Sequence, residues 1–426
     1  MKRFLSCVLP LLLSFGLIFN CTGCSTVLVL AGKARENSEA SSSVISESSA
    51  SSGVISTPVP TEDGDLRAFY TDVANAERVT VMVYMIGSDL ESEDGSATDD
   101  LLEMADAALS ENVHLVLQTG GTETWWNDVC TDDESERFVI ENGDMTLLQS
   151  LGSMNMTDAD TLSDFIRFSA ESYPADRYEL ILWDHGGGTM TGFGYDELYE
   201  DTSLTLSSLS TALYNGGVQF DFIGFDACLM ATAEVAYALD PYADYLIASE
   251  ESEPGEGWAY KNWLTMLAEN PAVPTAELGK KLADDFLEAY IFADMPTLSV
   301  LDLRYVPELY AALESYWGSA YTALQSGSYG AFSQVRSNVR EFGDNEYDQV
   351  DLSDLATLTK QSLSLGTEDD VQAAVQNMVV YNVTYEKSAA GIAVYFPCLW
   401  PDYYGDTRFE ICLLYTSPSP RDVEES

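Results

Sequence analysis

Two apolar runs decide most of what this chain can fold into. Tyr178-Glu179-Leu180-Ile181-Leu182-Trp183 and Phe220-Asp221-Phe222-Ile223-Gly224-Phe225 are short, strand-like and almost continuously apolar. Runs of this kind suit strands buried on both faces of a parallel sheet. The first leads into Asp184-His185-Gly186-Gly187-Gly188, the second into Asp226-Ala227-Cys228. If the two strands are parallel neighbours, their carboxyl ends bring an imidazole beside a thiol. That is the minimal equipment of a cysteine nucleophile with its acid/base partner. The chain has two histidines, so a thiol has little else to pair with.

The flanking sequence extends the pattern. Val79–Ile86, Val113–Gln118 and Tyr245–Ser249 are further strand-like runs. Helical spacing lies between them, at Leu101–Leu109, Leu162–Tyr173 and Leu206–Leu213, and in a helix expected from Met230 to Leu239, directly after Cys228. Arg137–Leu148, with Asn142-Gly143 at its centre, reads as a tight hairpin. Strands alternating with helices predict an α/β fold with a mostly parallel central sheet flanked by helices. Beyond Trp263 the spacing is largely helical, with strands at Thr297–Leu303 and Gly391–Phe396. A largely helical C-terminal subdomain is therefore expected at about 262–345.

The termini read differently. In residues 1–23, Lys2 and Arg3 precede an apolar stretch, Phe4–Phe19, of signal-peptide length. Cys21-Thr22-Gly23-Cys24 resembles a bacterial lipobox with Cys24 as the lipidated residue, although Cys21 stands where Leu is usual. A plain secretory signal is the alternative. Either reading puts the protein outside the cytoplasm, as a bacterial cell-surface lipoprotein or a secreted protein, touching the membrane only through an N-terminal lipid anchor. Residues 24–76, rich in Ser and Glu, read as a flexible tether. The folded domain is expected over 77–411. Residues 412–426 resemble a translated adapter sequence from DNA library preparation, which implies a truncated gene and an artefactual tail. A net charge of −51, from 19 Lys+Arg against 70 Asp+Glu, repels a phosphate backbone and argues against nucleic acid.

Seven cysteines are present. Cys7 and Cys21 leave with the signal, Cys24 would be acylated, and Cys412 falls in the foreign tail. Cys130, Cys228 and Cys398 remain, too widely spaced for a disulfide framework or a zinc site. Cys228 is the best-placed nucleophile: at the end of a buried strand and the start of a helix, its thiol is expected to be acidified by the helix dipole. A buried core cysteine is the bland alternative. The glycines after His185 let backbone approach a ligand, so the N–H groups of Gly186 and Cys228 are candidate oxyanion donors. His114 reads as an ordinary strand residue. Asp184 points away from His185 in an extended chain, so a dyad is expected with no third member.

Val81-Met82-Val83-Tyr84-Met85, Trp183-Asp184-His185-Gly186-Gly187-Gly188, Asp226-Ala227-Cys228-Leu229-Met230-Ala231, the Ser249–Trp258 segment and Gly391–Pro397 together resemble the clostripain family of cysteine peptidases. The resemblance implies a caspase-like fold and a cysteine endopeptidase with His185 and Cys228 as its dyad. It implies cleavage after Arg or Lys, with Asp226 and Glu256 as acids of the S1 pocket, and so protein or peptide substrates carrying basic residues. The bland alternatives are a loop-capping carboxylate for Asp226 and a solvated loop acid for Glu256. Relatives are often activated by self-cleavage after a basic residue between the histidine and the cysteine. This chain has no Lys or Arg from Tyr178 through Tyr260, so that cut cannot occur there. Either the enzyme works as a single chain, or it is processed elsewhere, or its P1 preference differs. No cofactor or metal is required. Calcium, to which some relatives respond, is a weak expectation resting on acids such as Asp89, Glu91, Glu93, Asp94, Asp99 and Asp100. The competing functions are a catalytically inactive surface-anchored binding protein on the same scaffold and a transpeptidase.

Overall fold

The apolar runs do form strands, and the strands lie side by side. The computed structural model describes residues 66–199, 202–290, 296–343, 346–385 and 388–397. All lie within Thr57–Ser426, one of two units into which the chain divides; the other, Met1–Ser56, is outside the described residues. The signal, Cys24, most of the tether and residues 398–426 therefore also lie outside them.

Among the described residues, nine strands make one sheet in the order β11-β8-β7-β6-β5-β1-β2-β3-β4. These are β1 (Val79–Ile86), β2 (Val113–Gly120), β3 (Ser135–Glu141), β4 (Asp144–Gly152), β5 (Arg177–Trp183), β6 (Phe220–Asp226), β7 (Ala243–Ala248), β8 (Thr297–Asp302) and β11 (Val379–Thr384). The centre, from β2 through β7, is parallel. The β3–β4 hairpin at one edge and β8 with β11 at the other are antiparallel. The hairpin turns at Asn142 and Gly143, both at positive φ, as the sequence predicts. A separate three-stranded sheet joins β9 (Glu341–Phe342), β10 (Gln349–Asp351) and β12 (Ala393–Tyr395). The strand expected at Gly391–Phe396 thus belongs to this small sheet.

Every residue of β1 is buried. Met82, Tyr84 and Ile86 pack into one core with Leu180 and Phe165. Val81, Val83 and Met85 pack into a second with Ile181 and Phe222. Alternate residues facing opposite cores is the signature of a sheet covered on both sides. The helical C-terminal stretch serves both. Tyr260–Glu269 and Thr275–Ala289 contribute Trp263 and Leu282 to one core, and Val306–Gln325 contributes Leu309 and Leu313 to the other.

The tether boundary moves. Its last part, from Leu66, packs on the domain, because Arg67 forms ion pairs with Asp244 at 2.7 Å and Asp240 at 3.2 Å. Asp244 also accepts from the backbone N–H groups of Tyr70 and Thr71. A Ser/Glu-rich composition gave no sign of this, since the partners lie far along the chain.

At the amino ends of the two central strands, Arg177 pairs with Glu179 at 3.0 Å and Asp221 at 2.7 Å, all three side chains essentially inaccessible. Asp221 takes a further bond from Thr275. Removing the cation would leave two carboxyl groups buried without it. Arg177→Met is therefore expected to lower unfolding stability by about 3–5 kcal/mol, read from urea denaturation. A midpoint equal to that of the unmodified protein would refute this role.

Candidate active site

The register of β5 against β6 sets the site. Trp183 pairs with Asp226, and the Asp184 N–H donates to the Asp226 carbonyl at 3.2 Å. His185 and Cys228 follow that last rung at matching positions. Gly186 lies so close to the Cys228 carbonyl oxygen that a β-carbon there would collide with it. The two reactive segments therefore leave the sheet in contact.

The imidazole has a partner that the sequence did not suggest. His185 Nε2 lies 2.7 Å from Asp89 Oδ1, on the short helix Ser88–Ser92 that follows β1. Both side chains are nearly half exposed, so the pair orients the ring more than it stabilises the fold. The helix carrying Asp89 is fixed. Ser88 adopts φ 49° and its hydroxyl donates to Asp184 at 2.7 Å. Glu91 is buried and accepts from the Thr98 hydroxyl, the Thr98 N–H and the Trp126 N–H. Asp184, as expected, does not orient the imidazole: its side chain accepts from Ser88 and from the Tyr195 N–H.

Cys228 departs from expectation. The helix after it begins only at Ala233, capped by Thr232, which leaves the cysteine in the preceding loop rather than at a helix N-terminus. Burial pushes the thiol up, partly offset by the Glu253 backbone N–H. That N–H lies 3.2 Å from Sγ, and the thiol in turn faces the Glu253 carbonyl at 3.8 Å. Among the described residues no hydrogen bond joins His185 to Cys228. Leu229 holds φ 68°, a left-handed conformation costly for a bulky side chain, and its N–H is tied to the Glu251 carbonyl at 3.2 Å. The N–H groups of Gly186 and Cys228 donate to no backbone carbonyl among the described residues.

Asp226 is buried and accepts from the Trp258 N–H at 3.0 Å and the Tyr260 hydroxyl at 2.7 Å. It does cap the Trp258 loop, as its bland reading predicts. Two other acids join it. Asp100 accepts from Trp183 Nε1 at 2.6 Å, and a β-carbon on Gly257 would meet both Asp100 and Asp226 within about 3 Å. Glu253 has both carboxyl oxygens buried and faces Asp226. Glu256, expected in this pocket, is exposed. Pro254 and Gly255 separate it from Glu253, and the tight turn closed by the Gly257 N–H on the Pro254 carbonyl sends it outward. Spacing alone could not distinguish these two glutamates.

The other candidates are structural. His114 sits on β2, 3.6 Å from Glu141. Cys130 is buried and its thiol is pushed up to about 12 by that burial. Cys398 is outside the described residues. Of the acids named for calcium, Asp89 and Glu91 are engaged as above, and among the described residues no group of three or more His, Cys, Asp or Glu is arranged to hold a metal ion. No helix among them is long and apolar enough to cross a membrane.

Comparison with known proteins agrees with this layout. A family model for the clostripain family matches residues 83–398. Clostripain of Hathewaya histolytica is 29% identical over 217 residues, 43% of this chain and 41% of that protein. The match thus spans less than half of that relative's length. Two solved structures share the fold. A secreted C11 cysteine protease from Bacteroides thetaiotaomicron, in complex with an irreversible peptide inhibitor, gives a TM-score of 0.62 at 19% identity, over 79% of this chain and 98% of that one. An inactive zymogen C11 protease from Parabacteroides distasonis gives 0.60 at 22% identity, over 77% and 95%.

Burial raises Asp184 and Asp226 to about 7 each. For an acid raised in the folded state, the stabilisation is complete below its unfolded value of about 4 and is lost as pH rises through the folded value. The urea midpoint is expected to fall as pH rises from about 4 to about 7, and Asp226→Asn to flatten that fall. Parallel midpoint-versus-pH profiles for the two proteins would contradict the assignment.

Proposed function

The chain belongs to the clostripain family, and on that premise we propose that it is a cysteine endopeptidase with Cys228 as nucleophile and His185 as acid/base. One observation carries the reading: the shared last rung of β5 and β6, beyond which the His185 and Cys228 segments touch. In the proposed reaction the thiol proton passes to His185 and the sulfur attacks the scissile carbonyl. The imidazolium then protonates the leaving amine, and the acyl-enzyme is hydrolysed by water that His185 activates. Asp89 holds the ring so that its other nitrogen faces the substrate, and so completes a triad in place of the expected dyad. The N–H groups of Gly186 and Cys228 receive the developing oxyanion.

A basic P1 residue is the proposed specificity. The support is a buried acid, Asp226, on the strand that delivers the nucleophile, with no Lys or Arg among the groups acting on it. Exposed Glu256 would stand at the mouth of such a pocket. Protein or peptide substrates at the outside of a bacterial cell fit the acidic charge and the lipobox-like Cys24, and the Bacteroides neighbour is described as secreted. One observation favours the inactive binding protein instead: the thiol is held by Glu253 and not by His185.

Fluorogenic peptides ending in Arg or Lys separate the two. Cys228→Ala and His185→Ala are expected to lose activity about a thousandfold or more. Asp89→Asn is expected to lower kcat by roughly 10- to 100-fold with little change in KM, since a misplaced base costs up to about 100-fold. Equal rates for Cys228→Ala and the unmodified protein would remove the nucleophile.

A further inference from the structure

We infer that Gln349 is a positioning residue of the peptidase site, its side-chain amide clamping the His185 loop to the Cys228 loop and so fixing the distance between the two oxyanion donors. This rests on the peptidase reading above. Gln349 opens β10 of the small three-stranded sheet, far along the chain from β5 and β6, and is completely buried. Its Oε1 accepts from the Thr189 N–H at 3.1 Å, and its Nε2 donates to the Leu229 carbonyl at 3.3 Å. The first partner lies just beyond the glycines that follow His185, and the second comes directly after Cys228. A backbone N–H can only donate and a carbonyl can only accept, so these partners fix which end of the amide faces which loop.

The surrounding chain is shaped to admit this amide. A β-carbon on Gly188 would collide with Gln349 Oε1 and with the Leu229 carbonyl oxygen. Gly188 also holds φ 52°, so both space and backbone favour glycine there. The small sheet is a firm anchor for the clamp. Phe342 and Ala393 pack with Leu229, and the Glu251 carboxylate takes the Gly343 N–H and Arg340, each at 2.9 Å. Leu229 is thereby held at both ends, its N–H on the Glu251 carbonyl and its carbonyl on Gln349. This secures the left-handed bend one residue beyond the nucleophile. A buried glutamine needs hydrogen-bond partners in any case, and one loop would supply them. Here the partners come from both reactive loops. The Gly186 and Cys228 N–H groups lie in the segments so joined, and such donors work only when aimed at the position the oxyanion will occupy.

The test measures kcat and KM on the fluorogenic peptides for Gln349→Met, which keeps the length and loses both hydrogen bonds, and for Gln349→Glu. In Gln349→Met, kcat is expected to fall about 10- to 100-fold with KM within about twofold. Alkylation of Cys228 by iodoacetamide, read by mass on its peptide, forms no oxyanion and should change less than about threefold. Gln349→Glu is the conservative variant. A neutral carboxyl offers an acceptor and a donor, as the amide does, whereas a carboxylate only accepts. Burial raises such an acid, so the neutral form prevails at low pH. The ratio of its kcat to that of the unmodified protein is expected near unity at about pH 5, falling at least about tenfold by about pH 9. A merely structural role would move turnover and alkylation together and leave that ratio flat. Unchanged kcat in folded Gln349→Met, equal losses of turnover and alkylation, or a pH-independent Gln349→Glu ratio overturns the assignment while leaving the peptidase intact. If Gln349→Met does not fold, the Gln349→Glu ratio decides alone. Absence of Cys228-dependent cleavage of these peptides and of denatured casein by the unmodified protein overturns the peptidase reading and this inference with it.

Discussion

Everything at the site hangs from one parallel pairing, β5 on β6. Its last rungs, Trp183 against Asp226 and the Asp184 N–H on the Asp226 carbonyl, fix where the two chain segments leave the sheet. Period-2 geometry then turns His185 and Cys228 out at equivalent positions. A slip of one residue would turn either side chain to the opposite face. Continuous burial on both faces, with Leu180 and Ile181 in different cores, makes such a slip costly across the whole strand.

The two ends of these strands treat buried acid in opposite ways. At the amino ends, Arg177 pairs with both Glu179 and Asp221, although burial still raises Glu179 to about 8. At the carboxyl ends, Asp100, Asp226 and Glu253 lie together with no basic side chain among the groups acting on them. The first arrangement is a closed ion network that holds strands together. The second is held by hydrogen bonds from Trp183, Trp258 and Tyr260.

Strain and capping meet at the nucleophile. Leu229 in the left-handed region bends the chain away from β6, and Glu251 and Ser249 accept from the backbone on either side of the bend. The same loop places the Glu253 N–H on sulfur. The thiol is thus positioned by backbone, not by a helix dipole, and burial raises its pKa. His185 is held separately by Asp89. In this resting arrangement the two reactive groups are each fixed but not joined.

The sequence by itself indicated the strands of the sheet's centre, their parallel α/β class and the pair of reactive residues, because buried strands announce themselves by continuous apolar runs and a reactive residue is read by its type. It also placed Asp226 at the site, two residues before Cys228. Tertiary structure decided the rest. Asp89 reaches His185, and Asp100 reaches the acids beside Cys228, only because β1 lies next to β5 in the sheet. Glu253 rather than Glu256 turns inward because of a tight turn at Pro254–Gly257. Arg67 is held by Asp240 and Asp244, far along the chain. Apolar periodicity is a local property that survives in the linear sequence, whereas an ion pair or a shared proton depends on which side chains meet in space, and many acids in a chain this acidic look alike until the fold brings a few of them together.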